Sequence, residues 1–128
     1  MLKILFGILL FLVIYSPLAV AGAEEDQWTT QDTVLELVYL GLHIVDWQQT
    51  LKIADNPDVY HERNRLLGPH PSRARVNAHF ASLAVIHATV AYFMPRSGRN
   101  IFFATTISFE AGVIYGNHAI GLSAKARF

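Results

Sequence analysis

The feature that most constrains this chain is a run of residues, 101–122, in which Glu110 is the one Asp, Glu, Lys or Arg. A carboxylate is costly to bury unless another polar group satisfies it, whether its surroundings are protein or lipid. The run is also long enough to span a bilayer. We therefore expect other segments of the chain to bring polar partners to Glu110.

Composition and charge narrow the class of protein. The 128 residues are 52% hydrophobic and 16% charged, whereas about 25% are charged in a typical soluble domain. The formal net charge is zero and no basic face stands out, so nucleic acid is not indicated as a partner. The chain has no cysteine, which excludes disulfides and thiolate chemistry. These values indicate a single domain with fewer charged residues than a typical soluble domain, as in many membrane proteins.

The first residues have the organisation of a bacterial export signal. Lys3 is followed by an apolar run at 4–15, a proline, and small residues of the A-x-A type at 19–23. We predict a signal peptide at residues 1–23 and a mature domain at residues 24–128. An uncleaved membrane anchor is the alternative. Both interpretations place the protein on the export route.

Capping and turn residues divide the mature domain into three helical segments. Asp32 is a candidate N-cap for the first helix, Ser72 is one for the second, and Pro95 ends the second. The predicted helices span about residues 33–54, 73–94 and 100–122. The fold class is therefore all-α, a three-helix bundle.

Charge asymmetry favours a bundle embedded in the inner membrane. Residues 76–94 contain no Asp, Glu, Lys or Arg, although the first helix carries three charges and alone would span poorly. With the mature N-terminus outside, six Lys or Arg fall on the cytoplasmic side and two on the outer turn. We expect a three-span protein in contact with lipid. A compact periplasmic helical domain is the first alternative. An outer-membrane barrel is less favoured, because residues 76–94 do not alternate.

Polar residues recur in steps of three and four, which places them on one face of a helix. On the first helix this face comprises Glu36, Tyr39, His43, Asp46 and Thr50. On the third it comprises Thr106, Glu110, Asn117 and Gly121. We expect a buried hydrogen-bond network in which Glu110 pairs with His87 or His43. The predicted polar core comprises Asp46, Glu62, Asn64, His87, Glu110 and Asn117.

Two alternatives give polar residues a chemical role. Two imidazoles and two carboxylates suit a divalent zinc, iron or manganese ion in a helical bundle. The candidate ligands are His43, Asp46, His87 and Glu110. The chain has no E-x-x-H motif in support of a metal, and no C-x-x-C-H motif in support of a haem.

In the long connection between the first two helices, Glu62 and Asn64 are expected to tie the loop to the helix ends. An acid–base role for His61 and Glu62 is the competing hypothesis.

Short motifs follow one another along nearly the whole mature domain. They are Asp46-Trp47-Gln48-Gln49-Thr50, then Glu62-x-Asn64-x-x-Leu67-Gly68-x-x-Pro71-Ser72, then Pro95 with Arg99, then Glu110, Asn117 and Gly121. The pattern resembles that of small exported or membrane proteins encoded by tailed phages and proteobacteria. In that group Asn64 is often followed by proline, where this chain has Arg65. The resemblance implies a Gram-negative envelope and a phage or bacterial gene, and it brings no assigned activity.

The expected function follows from the packing faces. Ser108, Gly112 and Gly116 have the small-xxx-small spacing that lets another helix approach closely. We expect a non-enzymatic envelope protein that acts through helix–helix contacts with itself or with a membrane partner. The competing hypotheses are a small metal-dependent membrane enzyme and a periplasmic helical binding protein.

Overall fold

The computed structural model describes residues 26–122, and these residues form three α-helices with no strand among them. The helices are α1 (Thr30–Asp55), α2 (Arg73–Phe93) and α3 (Arg96–Ala119). The predicted all-α class and three helices are thus confirmed. The predicted signal peptide at residues 1–23 and the tail at residues 123–128 lie outside the described residues.

α1 begins three residues earlier than expected, because Thr29 rather than Asp32 is its N-cap. Thr29 Oγ1 accepts a hydrogen bond from the Asp32 backbone N at 3.2 Å. The Asp32 carboxylate accepts one in return from the Thr29 backbone N at 2.8 Å. This capping box satisfies two backbone N–H groups that the first turn leaves free. Asp32 therefore lies inside the helix, where its carboxylate is available to a partner.

α2 and α3 form a helical hairpin with a short connection of two residues, Met94 and Pro95. Ser72 caps α2 as predicted, with its Oγ accepting from the Arg75 backbone N at 3.2 Å. α2 ends at Phe93, and α3 begins at Arg96 immediately after Pro95. Proline fits just before a first helical turn, because the N–H group it lacks would have no partner there. Residues 96–99, which lie between the second and third predicted helices, are consequently helical.

The connection at residues 56–72 is held by its own polar side chains. Glu62 Oε1 accepts from the Asn64 backbone N at 2.7 Å, and Asn64 Oδ1 accepts from the Leu66 backbone N at 3.0 Å. The Asn64 amide also lies 3.1 Å from Nε2 of His79 on α2. Gly68 adopts a positive φ of 81°, which a residue without a side chain tolerates. Glu62 and Asn64 thus order the loop beside the start of α2.

The helices pack with α1 against both of the others, while α2 and α3 contact each other little. A small apolar core lies at the loop end, where Leu67, Val76 and Phe80 pack with the partly buried Trp47 and Leu51. Above that core, the side chains between the helices are largely polar. The geometry of α1 therefore decides which polar groups meet.

Burial in this bundle departs from that of a soluble helical protein, because among the described residues as many polar or charged side chains as apolar ones are buried. The buried polar side chains are Asp32, Glu36, His43, Gln49, Thr50, His87, Arg99 and Glu110. The exposed apolar side chains on the helices include Val34, Leu37, Val38, Ile44, Val85, Ile86, Tyr92, Phe93, Ile101, Phe109 and Tyr115. Among the described helices, α2 is the one with the length and composition of a membrane span, and most of its apolar window is not buried in the bundle.

Candidate functional site

Polar side chains of α1 face the other two helices along one line. Asp32, Glu36, Tyr39, His43 and Asp46 are separated by alternating steps of four and three residues. This is the spacing of the apolar contact positions in a coiled coil. Here the first four are buried and Asp46 is half-buried. We call these five residues and the groups that bond to them the polar seam.

The polar seam starts at Arg99, whose residue surface is 1% exposed. All five guanidinium N–H groups have an acceptor at 2.8–3.4 Å. The acceptors are the carbonyl oxygens of Asp26, Gln27, Ala91 and Met94 and the carboxylate of Asp32. Because every donor is satisfied, the cost of burying this cation is largely offset. Arg99 thereby joins the start of α1, the end of α2 and the start of α3.

The second level of the seam is the pair of Glu36 and His87. The two carboxylate oxygens of Glu36 lie 3.0 and 3.2 Å from Nδ1 of His87. Nε2 of the same ring lies 3.0 Å from Oγ1 of Thr106 on α3. Tyr39 stacks on this imidazole with ring centroids 3.4 Å apart and an interplanar angle of 7°. The level therefore links all three helices.

The third level is the pair of His43 and Glu110. Nδ1 of His43 lies 2.8 Å from Oε1 of Glu110, and Nε2 lies 3.0 Å from the carbonyl oxygen of Phe80 on α2. The Tyr39 hydroxyl is a more distant neighbour, 3.4 Å from Nδ1. Oε2 of Glu110 is buried and has no hydrogen-bond partner within residues 26–122. This carboxyl group is thus bound through one of its two oxygens.

The fourth level holds the end of α3 against α1. The Asn117 amide donates to Oδ1 of Asp46 and to Oε1 of Gln49, both at 3.0 Å. The Gln49 amide donates in turn to the carbonyl oxygen of Leu122 at 2.9 Å. Gly121, with φ of 88°, turns the chain so that Leu122 reaches this position. The level ties the last described residues to the middle of the bundle.

The structure sorts the predicted site residues into separate groups. Glu110 meets His43, which is one of its two expected partners, and Asn117 bonds to Asp46. His87 does not meet Glu110; it pairs with Glu36, on the level nearer to Arg99. Glu62 and Asn64 bond within the loop rather than in the seam.

The four proposed metal ligands do not converge on one point. Across the described part of the chain, no three His, Asp or Glu side chains are grouped so that they could hold a metal ion. The physical reason is that His43 and His87 belong to different levels, and each imidazole already bonds through both nitrogens. The arrangement is a set of hydrogen-bonded pairs, not an open coordination sphere.

Two members of the seam were missed by sequence reasoning. Asp32 was assigned as a cap, and Arg99 was assigned to the turn before the third helix. The same spacing would have found both, since Asp32 precedes Glu36 by four residues and Arg99, Phe103, Thr106 and Glu110 follow steps of four, three and four. Extending the polar face of α1 by one step and that of α3 by two steps, through Phe103, therefore recovers the Arg99–Asp32 pair.

The outer surface of the bundle carries a different set of features. Ser108, Gly112 and Gly116 are exposed on α3, and a side chain added at either glycine would meet no atom within 4 Å. On α2, a shallow and open groove is lined by Ala81, Ser82, Val85 and Ile86. Both surfaces are formed by small or apolar side chains. They offer packing faces rather than converging polar groups.

Comparison of the chain with protein-family models, with curated proteins and with solved structures gives no match. Function is therefore inferred from the polar seam and from the apolar surface that surrounds it.

Proposed function

We propose that this chain is a small integral protein of a Gram-negative inner membrane, inserted through its three helices, which acts by helix–helix contact rather than by catalysis. One observation carries the proposal, namely the distribution of polar and apolar side chains in the bundle. Polar and charged side chains lie between the helices, and large apolar side chains cover their outer faces. In lipid this is the favourable arrangement, because the surrounding solvent is itself apolar.

In water the same surface would be unfavourable. Burying apolar area is favourable by about 25 cal/mol per Å², and aromatic side chains such as Phe93 and Tyr115 leave most of their area uncovered. A monomeric soluble protein rarely leaves large contiguous apolar patches exposed. Insertion in a bilayer covers this surface without requiring any change in the fold.

The polar seam meets the other requirement of a membrane interior. The hydrocarbon core supplies no hydrogen-bond partners, so buried polar groups must satisfy each other. Arg99 uses all five donors, and His43, Asp46 and His87 each bond across a helix–helix interface. Ionisable side chains in membrane segments typically face the interior of a bundle in this way.

Helix lengths support the same proposal. α1, α2 and α3 contain 26, 21 and 24 residues, which at about 1.5 Å per residue is roughly 39, 32 and 36 Å. Each exceeds the hydrocarbon thickness of about 30 Å. The connection at residues 56–72 and its flanks hold Arg63, Arg65, Arg73 and Arg75, so the positive-inside rule places that end in the cytoplasm.

The helix–helix role rests on the exposed small residues of α3. Gly112 and Gly116 have no neighbour in the described bundle that requires a glycine, and glycine costs roughly 1 kcal/mol relative to alanine in a helix. A flat face of small residues is the surface on which membrane helices associate closely. A second copy of the chain or another membrane protein would pack there.

Two experiments test the proposal. Carbonate extraction of membranes should leave the full chain in the membrane pellet; release into the soluble fraction would overturn the membrane assignment.

The chain has no cysteine, so Ser108→Cys introduces a single thiol on the small-residue face. Val38→Cys introduces one on the exposed face of α1 as a control. Oxidative cross-linking should give a dimer with Ser108→Cys and not with Val38→Cys.

The glycine variants complete the test. Gly112→Ile should abolish the Ser108→Cys cross-link, whereas Gly41→Ile should not, although a side chain at Gly41 also meets nothing within 4 Å. Absence of a Ser108→Cys dimer would contradict self-association. In that case a co-purified membrane protein lost specifically in Gly112→Ile would identify a partner of a different kind.

A further inference from the structure

His43 contacts oxygen atoms through both of its ring nitrogens. Nε2 lies 3.0 Å from the carbonyl oxygen of Phe80, and Nδ1 lies 2.8 Å from Oε1 of Glu110. A backbone carbonyl oxygen accepts hydrogen bonds and never donates them. Nε2 of His43 must therefore carry a hydrogen atom.

This tautomer leaves Nδ1 facing the carboxyl group. In a neutral imidazole with a proton on Nε2, Nδ1 is an acceptor, and an ionised Glu110 oxygen is also an acceptor. Two acceptors at 2.8 Å repel, and the two side chains are only 2% and 9% exposed, so solvent does not separate them. A proton has to lie between Nδ1 and Oε1. This proton is carried either by His43 as an imidazolium or by Glu110 as a carboxylic acid, and in both cases the pair holds the same number of protons.

We propose that His43 and Glu110 form a buried binding site for one proton, which the chain takes up when the bundle closes and releases when it opens. The proposal rests on donor and acceptor geometry and not on the membrane assignment. It would hold for the same bundle in water.

The surroundings of the pair favour keeping that proton. On α1, Tyr39 stacks on the His43 ring with centroids 5.3 Å apart, and the carboxyl group of Asp46 lies nearby. On α2, His79 adjoins Phe80 and His87 occupies the next level. On α3 the facing titratable group is Glu110 itself, and Glu62 approaches Asp46 from the loop. Two carboxyl groups beside one imidazole make loss of the proton unfavourable.

The unpaired oxygen of Glu110 indicates where the proton lies. Oε2 is buried without a donor among the described residues, which is costly for an ionised carboxylate and less costly for the carbonyl oxygen of a neutral acid. This favours a proton on Oε1, with the O–H donating to Nδ1 of His43, over an imidazolium beside an ionised carboxylate. Either location satisfies the count of one proton.

The pair of His87 and Glu36 does not place the same constraint on the proton. Nε2 of His87 lies 3.0 Å from the Thr106 hydroxyl, whose single hydrogen atom can be donated either to Nε2 or to the carbonyl oxygen of Phe102 at 2.9 Å. In the first case a neutral His87 donates from Nδ1 to an ionised Glu36, and in the second case Nε2 must be the donor. This geometry fixes no proton count, so the control is an exposed carboxylate instead.

The first test is the pH dependence of reversible unfolding of the full chain in detergent micelles. Above a pH of about 6.5, an unfolded histidine is neutral and an unfolded glutamate is ionised. The folded site then holds one proton more than the unfolded chain, so the contribution of this site to stability is lost as pH rises above about 6.5. The contribution is greatest between about pH 4.3 and 6.5, where the unfolded His43 and Glu110 together also hold one proton. Above about pH 6.5, as far as the pH at which the folded site releases its proton, the folding equilibrium constant should fall about tenfold per pH unit on account of this site.

Glu110→Gln removes the proton and keeps the bond, because the glutamine amide donates to Nδ1. Its folding equilibrium should lack this tenfold slope, while Asp55→Asn, at a carboxylate whose side chain is 45% exposed, should keep it. Asp46 interacts with Glu110, so the wild type and both variants are compared in an Asp46→Asn background, where contributions from groups remote from the pair cancel. A slope in the wild type that equals the slope in Glu110→Gln would overturn the proposal.

A second measurement keeps the test decisive if Glu110→Gln does not fold. Nitrogen NMR of the histidine-labelled wild type, with His43 assigned by its loss in His43→Gln, reports the protonation of each ring nitrogen. Infrared absorption of a protonated carboxyl group that persists in Asp46→Asn reports Glu110. An imidazolium at His43, or a neutral His43 with a protonated Glu110, supports the proposal. A neutral His43 with an ionised Glu110 at pH 7 overturns it.

Discussion

Arg99 of α3 donates to the carboxylate of Asp32 of α1 at 2.8 Å, although the two residues are 67 positions apart in the chain. Both side chains are almost fully buried, at 1% and 3% exposure. Asp32 also accepts from the Thr29 backbone N, so one carboxylate serves both as part of a helix cap and as the anion of a buried pair. The start of α1 is therefore coupled to the α2–α3 hairpin.

Arg99→Lys should destabilise the bundle by about 2 kcal/mol or more. An ammonium group has three N–H donors for five acceptors, so at least two acceptors lose their partner, at a cost of about 1–3 kcal/mol for each one that is shielded from water. The measurement is the free energy of unfolding in detergent micelles. Arg96→Lys is the matched control, because Arg96 is exposed and bonds to Asp26 through its backbone N. Equal stability of the two variants would contradict this role for Arg99.

Val85→Asp should prevent stable membrane insertion. Val85 is 68% exposed near the centre of α2, so in a bilayer its replacement puts a carboxylate into lipid at about 3 kcal/mol. In water the same change would be nearly neutral. Val59→Asp, at a loop position that is 70% exposed, is the control. The readout is the fraction of each variant retained in carbonate-washed membranes, and equal retention would argue for a soluble bundle.

Tyr39→Phe should cost less than about 0.5 kcal/mol, whereas Tyr39→Leu should cost about 1–2 kcal/mol. The hydroxyl lies at a weak 3.4 Å from His43, but the ring is stacked on His87, and phenylalanine retains that stacking. Thermal unfolding of both variants beside the wild type checks the order. A phenylalanine variant as unstable as the leucine variant would show that the hydroxyl matters more than the stacking.

Asn117→Asp should be strongly destabilising at neutral pH and partly recover in acid. The change preserves shape but replaces the donating amide by a carboxylate that faces Asp46 and the Gln49 carbonyl oxygen. Like charges in a half-buried site repel, and protonation of one carboxyl group removes the repulsion. Unfolding of the variant as a function of pH is the measurement. A variant no more sensitive to pH than Asn117→Ala would contradict this contact.

Residue spacing predicted the helices and the polar faces, because a period of three and four residues identifies which side of a helix is buried. It did not predict the pairs. Whether Glu110 meets His43 or His87 depends on how far α3 is shifted along α1, and periodicity contains no information about that shift. The shift follows from the tight α2–α3 hairpin at Pro95, which was interpreted as a helix end and not also as a helix start.

The hydrogen-bond acceptors of Arg99 were also not predictable from residue spacing alone. Its five acceptors include four backbone carbonyl oxygens, at residues 26, 27, 91 and 94. Every residue has a backbone carbonyl group, so the sequence does not show which carbonyl oxygens will accept hydrogen bonds from an arginine. A buried arginine satisfied largely by backbone is therefore hard to distinguish from an exposed arginine in a turn.

The long separation of Asp32 and Arg99 has a consequence for biosynthesis in a membrane. When α1 emerges, its carboxylates at Asp32 and Glu36 have no partners, because Arg99 and His87 are not yet made. At about 5–20 residues per second, the 67-residue gap corresponds to roughly 3–13 seconds of translation. Under the proposed membrane insertion, α1 would be costly to leave alone in lipid during that interval. The insertion machinery or the lipid–water boundary would hold it until the α2–α3 hairpin arrives, and the three helices would enter the bilayer as one unit.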